Sequence, residues 1–156
     1  MPTFELIDVS ETPYLYVERR SSMAPADVGN AMASAFGEVW GFMQKHGVPP
    51  AGGALSVYVD YSEAVLAFRA GFIIGPDDMA AAEGAVKADV TPGARVLHFT
   101  LVGSYEGLRP AYEEMMAHLE AEGLHYTSPT WEFYMNDPNE VPEDQLVTEC
   151  FQALAG

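Results

Sequence analysis

"EGLRPAYEEMMAHLEAEG" (residues 106–123) leads shortly into "WEFYMNDP" (131–138), and the first stretch has a partner earlier in the chain. Leu108, Tyr112, Met115 and Leu119 recur at steps of four and three, which builds one apolar helix face, and Gly123 closes the helix. Subtracting 76 maps these five positions onto Met32, Phe36, Val39, Met43 and Gly47 of "PADVGNAMASAFGEVWGFMQKHG" (25–47). The following strand stays in phase: Tyr134 falls on Tyr58 and Phe133 on Val57. One unit is therefore expected twice.

The first unit is expected over residues 14–75. "YLYVERRSS" (14–22) reads as a strand rich in β-branched and aromatic residues. Pro25 suits the first turn of the helix, where its missing N–H costs nothing, and Pro49-Pro50 prevent continuation past Gly47. "ALSVYVDY" (54–61) and "AVLAFRAGFIIG" (64–75) predict an antiparallel pair turning at Ser62-Glu63. Residues 76–93, rich in Ala, Asp, Gly and Pro, are expected as a connector with at most a short helical turn. The second unit, 94–154, repeats the order: strand "ARVLHFTLVGSY", the helix above, then strands "TWEFYMND" and "LVTECFQAL". Together the units predict an α+β fold, an eight-stranded antiparallel sheet with two helices on one face. The other face is expected to curve into a cleft at the pseudo-twofold axis.

Composition narrows the function classes. The chain has 156 residues, 49% hydrophobic and 19% charged, which is globular rather than disordered. The 23 acids against 7 bases give a formal net charge of −16, so direct binding to a phosphate backbone is not expected. Solubility accounts for such a charge, and attraction of cationic small molecules is the functional alternative. The single Cys150 excludes an internal disulfide, and His46, His98, His118 and His125 show no ligand spacing, so no metal and no cofactor are expected. Neither a signal peptide nor a membrane span is read, which leads to an expected cytoplasmic setting.

Four stretches carry a family resemblance. "LVGSYEGL" (101–108), "WEFYMNDP" (131–138), "VPEDQLVTECFQAL" (141–154) and, more loosely, the first strand and helix resemble the GyrI-like small-molecule-binding domain, which also serves as the effector domain of AraC-type and MerR-type drug-sensing regulators. The resemblance covers nearly the whole chain. It implies an aromatic cleft for bulky, often cationic or planar molecules. Some family members stand alone as toxin-protective or gyrase-directed proteins, and some are implicated as hydrolases of cyclopropanoid DNA-alkylating compounds. The 156 residues hold no helix-turn-helix segment, so a one-chain regulator is not expected. Three functions follow: binding of bulky aromatic or cationic molecules, hydrolysis of cyclopropanoid compounds, or a protein-interaction module such as a gyrase antagonist or corepressor.

Alternation sorts the strand at 131 into two sets, Trp131, Phe133 and Met135 against Glu132, Tyr134 and Asn136. The apolar set suits the helix-packed face, which would turn Glu132 and Tyr134 toward the cleft. The last strand sorts into Val147, Glu149 and Phe151 against Leu146, Thr148 and Cys150. If Glu149 also faces the cleft, two carboxylates and a phenol converge, as an acid–base pair or as a cation site. Glu149 and Tyr134 are then the candidate catalytic pair. The candidate ligand-binding set is Glu132, Tyr134, Glu149, Tyr105, Tyr112, Trp40, Tyr58 and Phe68. Most have a plainer role: solvated acids for Glu132 and Glu149, a helix staple for Tyr105, core packing for Tyr112 and Trp40, and a purely structural part for one of the repeat-related Tyr58 and Tyr134. Arg69 is expected to pair with a cleft acid or to form a surface ion pair, and Cys150 to be a small buried hydrophobe.

Overall fold

The computed structural model describes residues 3–61, 65–137 and 139–155. In chain order the elements are β1 (Glu5–Val9), β2 (Pro13–Ser22), α1 (Pro25–His46), β3 (Ala54–Tyr61), β4 (Val65–Ile73), β5 (Lys87–Val90), β6 (Ala94–Val102), α2 (Leu108–Ala121), β7 (Tyr126–Tyr134) and β8 (Val147–Leu154). Short 3-10 turns cover Pro76–Ala81, Tyr105–Gly107 and Glu143–Gln145. The eight strands form one antiparallel sheet in the order β1-β6-β8-β7-β3-β4-β2-β5. The expected turn at Ser62-Glu63 lies outside the described residues.

Both helices sit where the apolar spacing put them. In α1 the stripe buries Ala35, Val39 and Met43, and in α2 it buries Ala111, Met115 and Leu119. Gly47 and Gly123 follow the two helices with φ of 67° and 69°, a left-handed turn that a Cβ would strain. Helix α1 packs on Leu15, Val17, Phe68 and Ala70, and α2 on Leu97, Phe99 and Cys150. Cross-strand pairing joins Val17, Ala70, Ser56, Glu132, Cys150 and Phe99 into one row, so both helices cover the same sheet face.

Three expectations need correction. The connector holds a four-residue strand, β5, and a further strand, β1, precedes β2; these two short strands bring the sheet to eight. They cap opposite ends, β1 on β6 and β5 on β2, and so cover edges that would otherwise be open. The second correction concerns the faces. Trp131 and Phe133 point away from the helices, where they pack with Tyr14, Tyr16, Leu55, Val57, Val96 and Phe151. Third, this helix-free face is a filled core and not a cleft. Trp131 and Phe151 stack at 5.5 Å between ring centroids, and Trp131 is buried. The sheet curls around these rings until its ends approach, since β1 on one edge is joined to β2, next to the other edge, by residues 10–12 alone. Thr12 and Thr91 extend the β2–β5 ladder, Thr12 N–H to Thr91 Oγ1 and Thr91 N–H to Thr12 C=O, both 3.0 Å. The apolar set of β7 was expected to face the helices because it is the more apolar; the curl reverses that, because a rolled sheet also buries its helix-free face and takes the bulkiest rings there.

Candidate functional site

Between the two helices, Glu132 projects from β7 into a cage of phenols. Strand alternation sends Glu132 and Tyr134 to the helix side together. Ser56 stands opposite Glu132 on β3, and Cys150 opposite it on β8. Tyr112 comes down from α2 one turn after Leu108. Tyr134 donates to Glu132 Oε1 at 2.7 Å and Tyr58 donates to the same oxygen at 3.2 Å. Tyr112 donates to Oε2 at 2.6 Å. The Tyr134 hydroxyl also shares a 2.6 Å hydrogen bond with Ser56 Oγ.

Glu132 is 1% exposed, and among the described residues no cationic side chain pairs with it. Burial raises its pKa above the ordinary 4.5, while hydrogen bonds from Tyr112, Tyr134 and Tyr58 pull in the opposite direction. Burial, followed by the Glu132 charge, lifts the three phenols well above their usual range, so they remain donors. Hydrogen bonds to a charged acceptor contribute about 1.5–3 kcal/mol each, and three of them offset part of the cost of taking a carboxylate out of water. The charge itself is left without a counter-ion. The Cys150 thiol beside it is also pushed up by burial and by Glu132, which makes it a poor nucleophile.

Over this cage runs a continuous aromatic strip. Trp40 meets Phe72 at 5.3 Å, Phe72 meets Phe36 at 6.0 Å, Phe36 meets Tyr134 at 6.1 Å and Tyr134 meets Tyr105 at 5.7 Å. Its two ends, Trp40 and Tyr105, are exposed, while Tyr134 in the strip touches Glu132 directly. The strip roofs Glu132, which is buried beneath it.

The residues singled out from sequence divide sharply. Glu132, Tyr134, Tyr58 and Tyr112 meet in one cage, and Tyr105 packs on it. Phe68 is buried in the α1 core, 6.4 Å from the Tyr58 ring, and supports that phenol from behind. Trp40 reaches the cage only through Phe72 and Phe36. Glu149 is not in it. It pairs with Phe133 across β7 and β8 and so shares the helix-free face, while Cys150 takes the position beside Glu132. There Glu149 accepts from Thr100 at 2.6 Å and pairs with His98 at 2.6 Å. The pairing of Glu149 with Tyr134 therefore fails by one residue of strand parity. Arg69 pairs with Asp89 at 2.6 Å and lies over the Tyr16 ring, away from the cage. Sequence reading missed Ser56, Phe36 and Phe72. The first two lie 76 residues before Glu132 and Tyr112, so the same offset pointed to them.

A buried carboxylate ringed by phenols, between two helices on a rolled antiparallel sheet, is the arrangement of a small-molecule-binding module. The chain belongs to the GyrI-like small molecule binding domain family, whose model matches residues 2–154. In fold it is similar to the EcmrR C-terminal domain, at 17% identity over 99% of this chain and 98% of that one, with a TM-score of 0.74. It is also similar to SAV2435, solved bound to tetraphenylphosphonium, at 11% identity over 99% and 94% of the two chains, TM-score 0.65. A third likeness is to a hydrolase from Listeria innocua, at 17% identity over 97% and 91%, TM-score 0.63. At such identities these likenesses speak for the fold alone. No curated protein sequence matches the chain. Among the described residues no helix is long and apolar enough to cross a membrane, and no group of three or more His, Cys, Asp or Glu is placed to hold a metal ion.

Proposed function

We propose that this chain binds bulky aromatic organic cations, with Glu132 as the counter-charge. The observation that carries this is a carboxylate 1% exposed, held by three phenol donors, with no protein cation beside it among the described residues. A ligand cation would supply the missing charge where the effective dielectric is low and attraction is correspondingly strong. The aromatic strip offers ring faces to the ligand's own rings, with cation–π attraction of about 0.5–2 kcal/mol. Access requires rings to part. Tyr105 is the natural one to move, because it rides on the three-residue turn Tyr105–Gly107 rather than on a long helix.

The test is calorimetric titration with tetraphenylphosphonium and with tetraphenylborate, similar shapes of opposite sign. The cation should bind at micromolar strength, about −8 kcal/mol, and the borate should not. Equal binding of both would overturn the reading.

One observation keeps a catalytic alternative in view. Glu132 and Tyr134 lie 2.7 Å apart, the acid–phenol spacing a general base and its hydrogen-bonding partner need, whereas Glu149 has no such partner. Hydrolysis of a cyclopropanoid compound would then run through Glu132. Ring opening by the wild type, lost on the scale of about 10²–10⁴-fold in Glu132→Gln, is the result that supports it. Binding of the compound without ring opening excludes it.

A further inference from the structure

Beside the cage lies a buried hydroxyl that bonds nothing among the described residues. Thr148 is fully buried, and its Oγ1 has no hydrogen-bond partner among the described residues. Buried polar side-chain atoms in native proteins nearly always have one, so an orphan calls for an explanation. Its position supplies one. Thr148 pairs directly with Tyr134 across β7 and β8 and with Leu101 across β6, and strand alternation puts it on the helix face with Tyr134. The Tyr105–Gly107 turn roofs this row: the Tyr105 ring packs on Tyr134, and Gly107 comes so close to Leu101 that a Cβ there would stand 3.3 Å from Leu101 Cδ1. Thr148 thus lies under the segment that a ligand would displace, diagonally across the strands from Glu132.

Two other polar groups outside the cage are accounted for. His98 and Thr100 both bond Glu149. The second orphan atom, Arg69 Nε, stands 3.5 Å from the Glu18 carboxylate, so its charge at least is answered.

We infer that Thr148 is a specificity-determining residue, whose hydroxyl hydrogen-bonds a neutral polar group carried by the cationic ligand. This rests on the reading of Glu132 as the cation's counter-charge. Diagonal neighbours across an antiparallel pair lie about 7–8 Å apart, which one aromatic ring between charge and polar group spans. The favoured class is therefore an aryl cation with a hydroxyl, ether or amino substituent across a ring from its charge, in preference to an all-hydrocarbon cation. A threonine hydroxyl both donates and accepts, so any of the three serves.

The experiment compares two probes, tetraphenylphosphonium and para-hydroxyphenyl triphenylphosphonium, which differ by one hydroxyl. The wild type should bind the hydroxylated cation about three- to tenfold more tightly, the range for a neutral hydrogen bond. Thr148→Val should erase that preference while leaving tetraphenylphosphonium affinity within about twofold, and Thr148→Ser should retain it. A purely structural threonine would alter both probes alike. Thermal melting checks that the variants fold, and the wild-type preference stands as a test even if the valine variant does not. Equal binding of the two cations by the wild type, as when Thr148 meets only a water, overturns the inference and leaves the cation site standing. A preference that persists in Thr148→Val also overturns it. Failure of both probes to bind sinks the cation site and this inference together.

Discussion

The two strand–helix–strand–strand halves, β2-α1-β3-β4 and β6-α2-β7-β8, differ most where they meet. Positions 76 apart give Tyr58 and Tyr134, both phenols, and both donate to the same carboxylate oxygen. The acid has no twin: Ser56 stands where the second half has Glu132, and Phe36 where it has Tyr112. On the opposite face, Arg69 pairs with Val57 and Glu149 with Phe133, so an ion-paired arginine answers an acid. The halves keep the scaffold alike and confine the charge to one of them. A symmetric site with two acids would oppose like charges; a site with none would give a cation nothing to pair with. Ser56 resolves this by holding the Tyr134 hydroxyl in place without adding charge.

Restoring the symmetry should have the largest effect. Ser56→Glu would set a second carboxylate directly across from Glu132 in a buried position. Urea denaturation at neutral pH should show a loss of about 3–5 kcal/mol, typical of an uncompensated buried charge. An unchanged midpoint would mean that the cage is wetter or looser than its geometry indicates.

Removing the acid comes next. Glu132→Gln should weaken tetraphenylphosphonium binding by about ten- to a hundredfold, equivalent to about 1.4–2.8 kcal/mol. Its effect on the fold has the opposite sign at high pH. Because the folded-state pKa of Glu132 is raised above 4.5, ionisation opposes folding. The wild type should hold its full share of stability below the unfolded value and lose it as pH rises toward the raised folded value, with no further change above. Stability curves of wild type and Glu132→Gln should diverge across that window; parallel curves would show that the three phenols cancel the burial cost.

The phenols should rank by their hydrogen bonds. Tyr112→Phe and Tyr134→Phe, which lose contacts of 2.6 and 2.7 Å, should each cost about 1.5–3 kcal/mol. Tyr58→Phe, at 3.2 Å, should cost less. A larger loss at Tyr58 than at Tyr134 would contradict this ranking of the hydrogen bonds. Smallest of all, Glu149→Gln should cost under about 1 kcal/mol, as expected for partly exposed pairs, and should leave cation affinity unchanged.

The repeat, the two helices and most strands were legible because helix stripes and a fixed offset survive in sequence without knowledge of packing. Strands β1 and β5, five and four residues long, were not. "ELIDV" and "KADV" carry little pattern of their own and are strands because β6 and β2 offer them an edge. Within the site, Glu132, Tyr134, Tyr58 and Tyr112 could be picked out by residue type and spacing. Glu132 and Tyr134 were expected on the helix-free face, and the conditional grouping with Glu149 failed, because a strand's alternation tells which residues share a face, not which face meets the helices or how the neighbouring strand is registered. That information lies in the curl of the sheet around Trp131 and Phe151.

The most direct test of the Glu132 site is the pH dependence of tetraphenylphosphonium affinity, measured by calorimetry on the wild type and on Glu132→Gln. In the wild type, affinity should climb by up to tenfold per pH unit as the carboxylate ionises and level off above its raised pKa. In Glu132→Gln it should stay flat and weak across the same range. Equal affinities with the same pH profile in both proteins would contradict the account, because the cation would then be drawn by some group other than the buried acid.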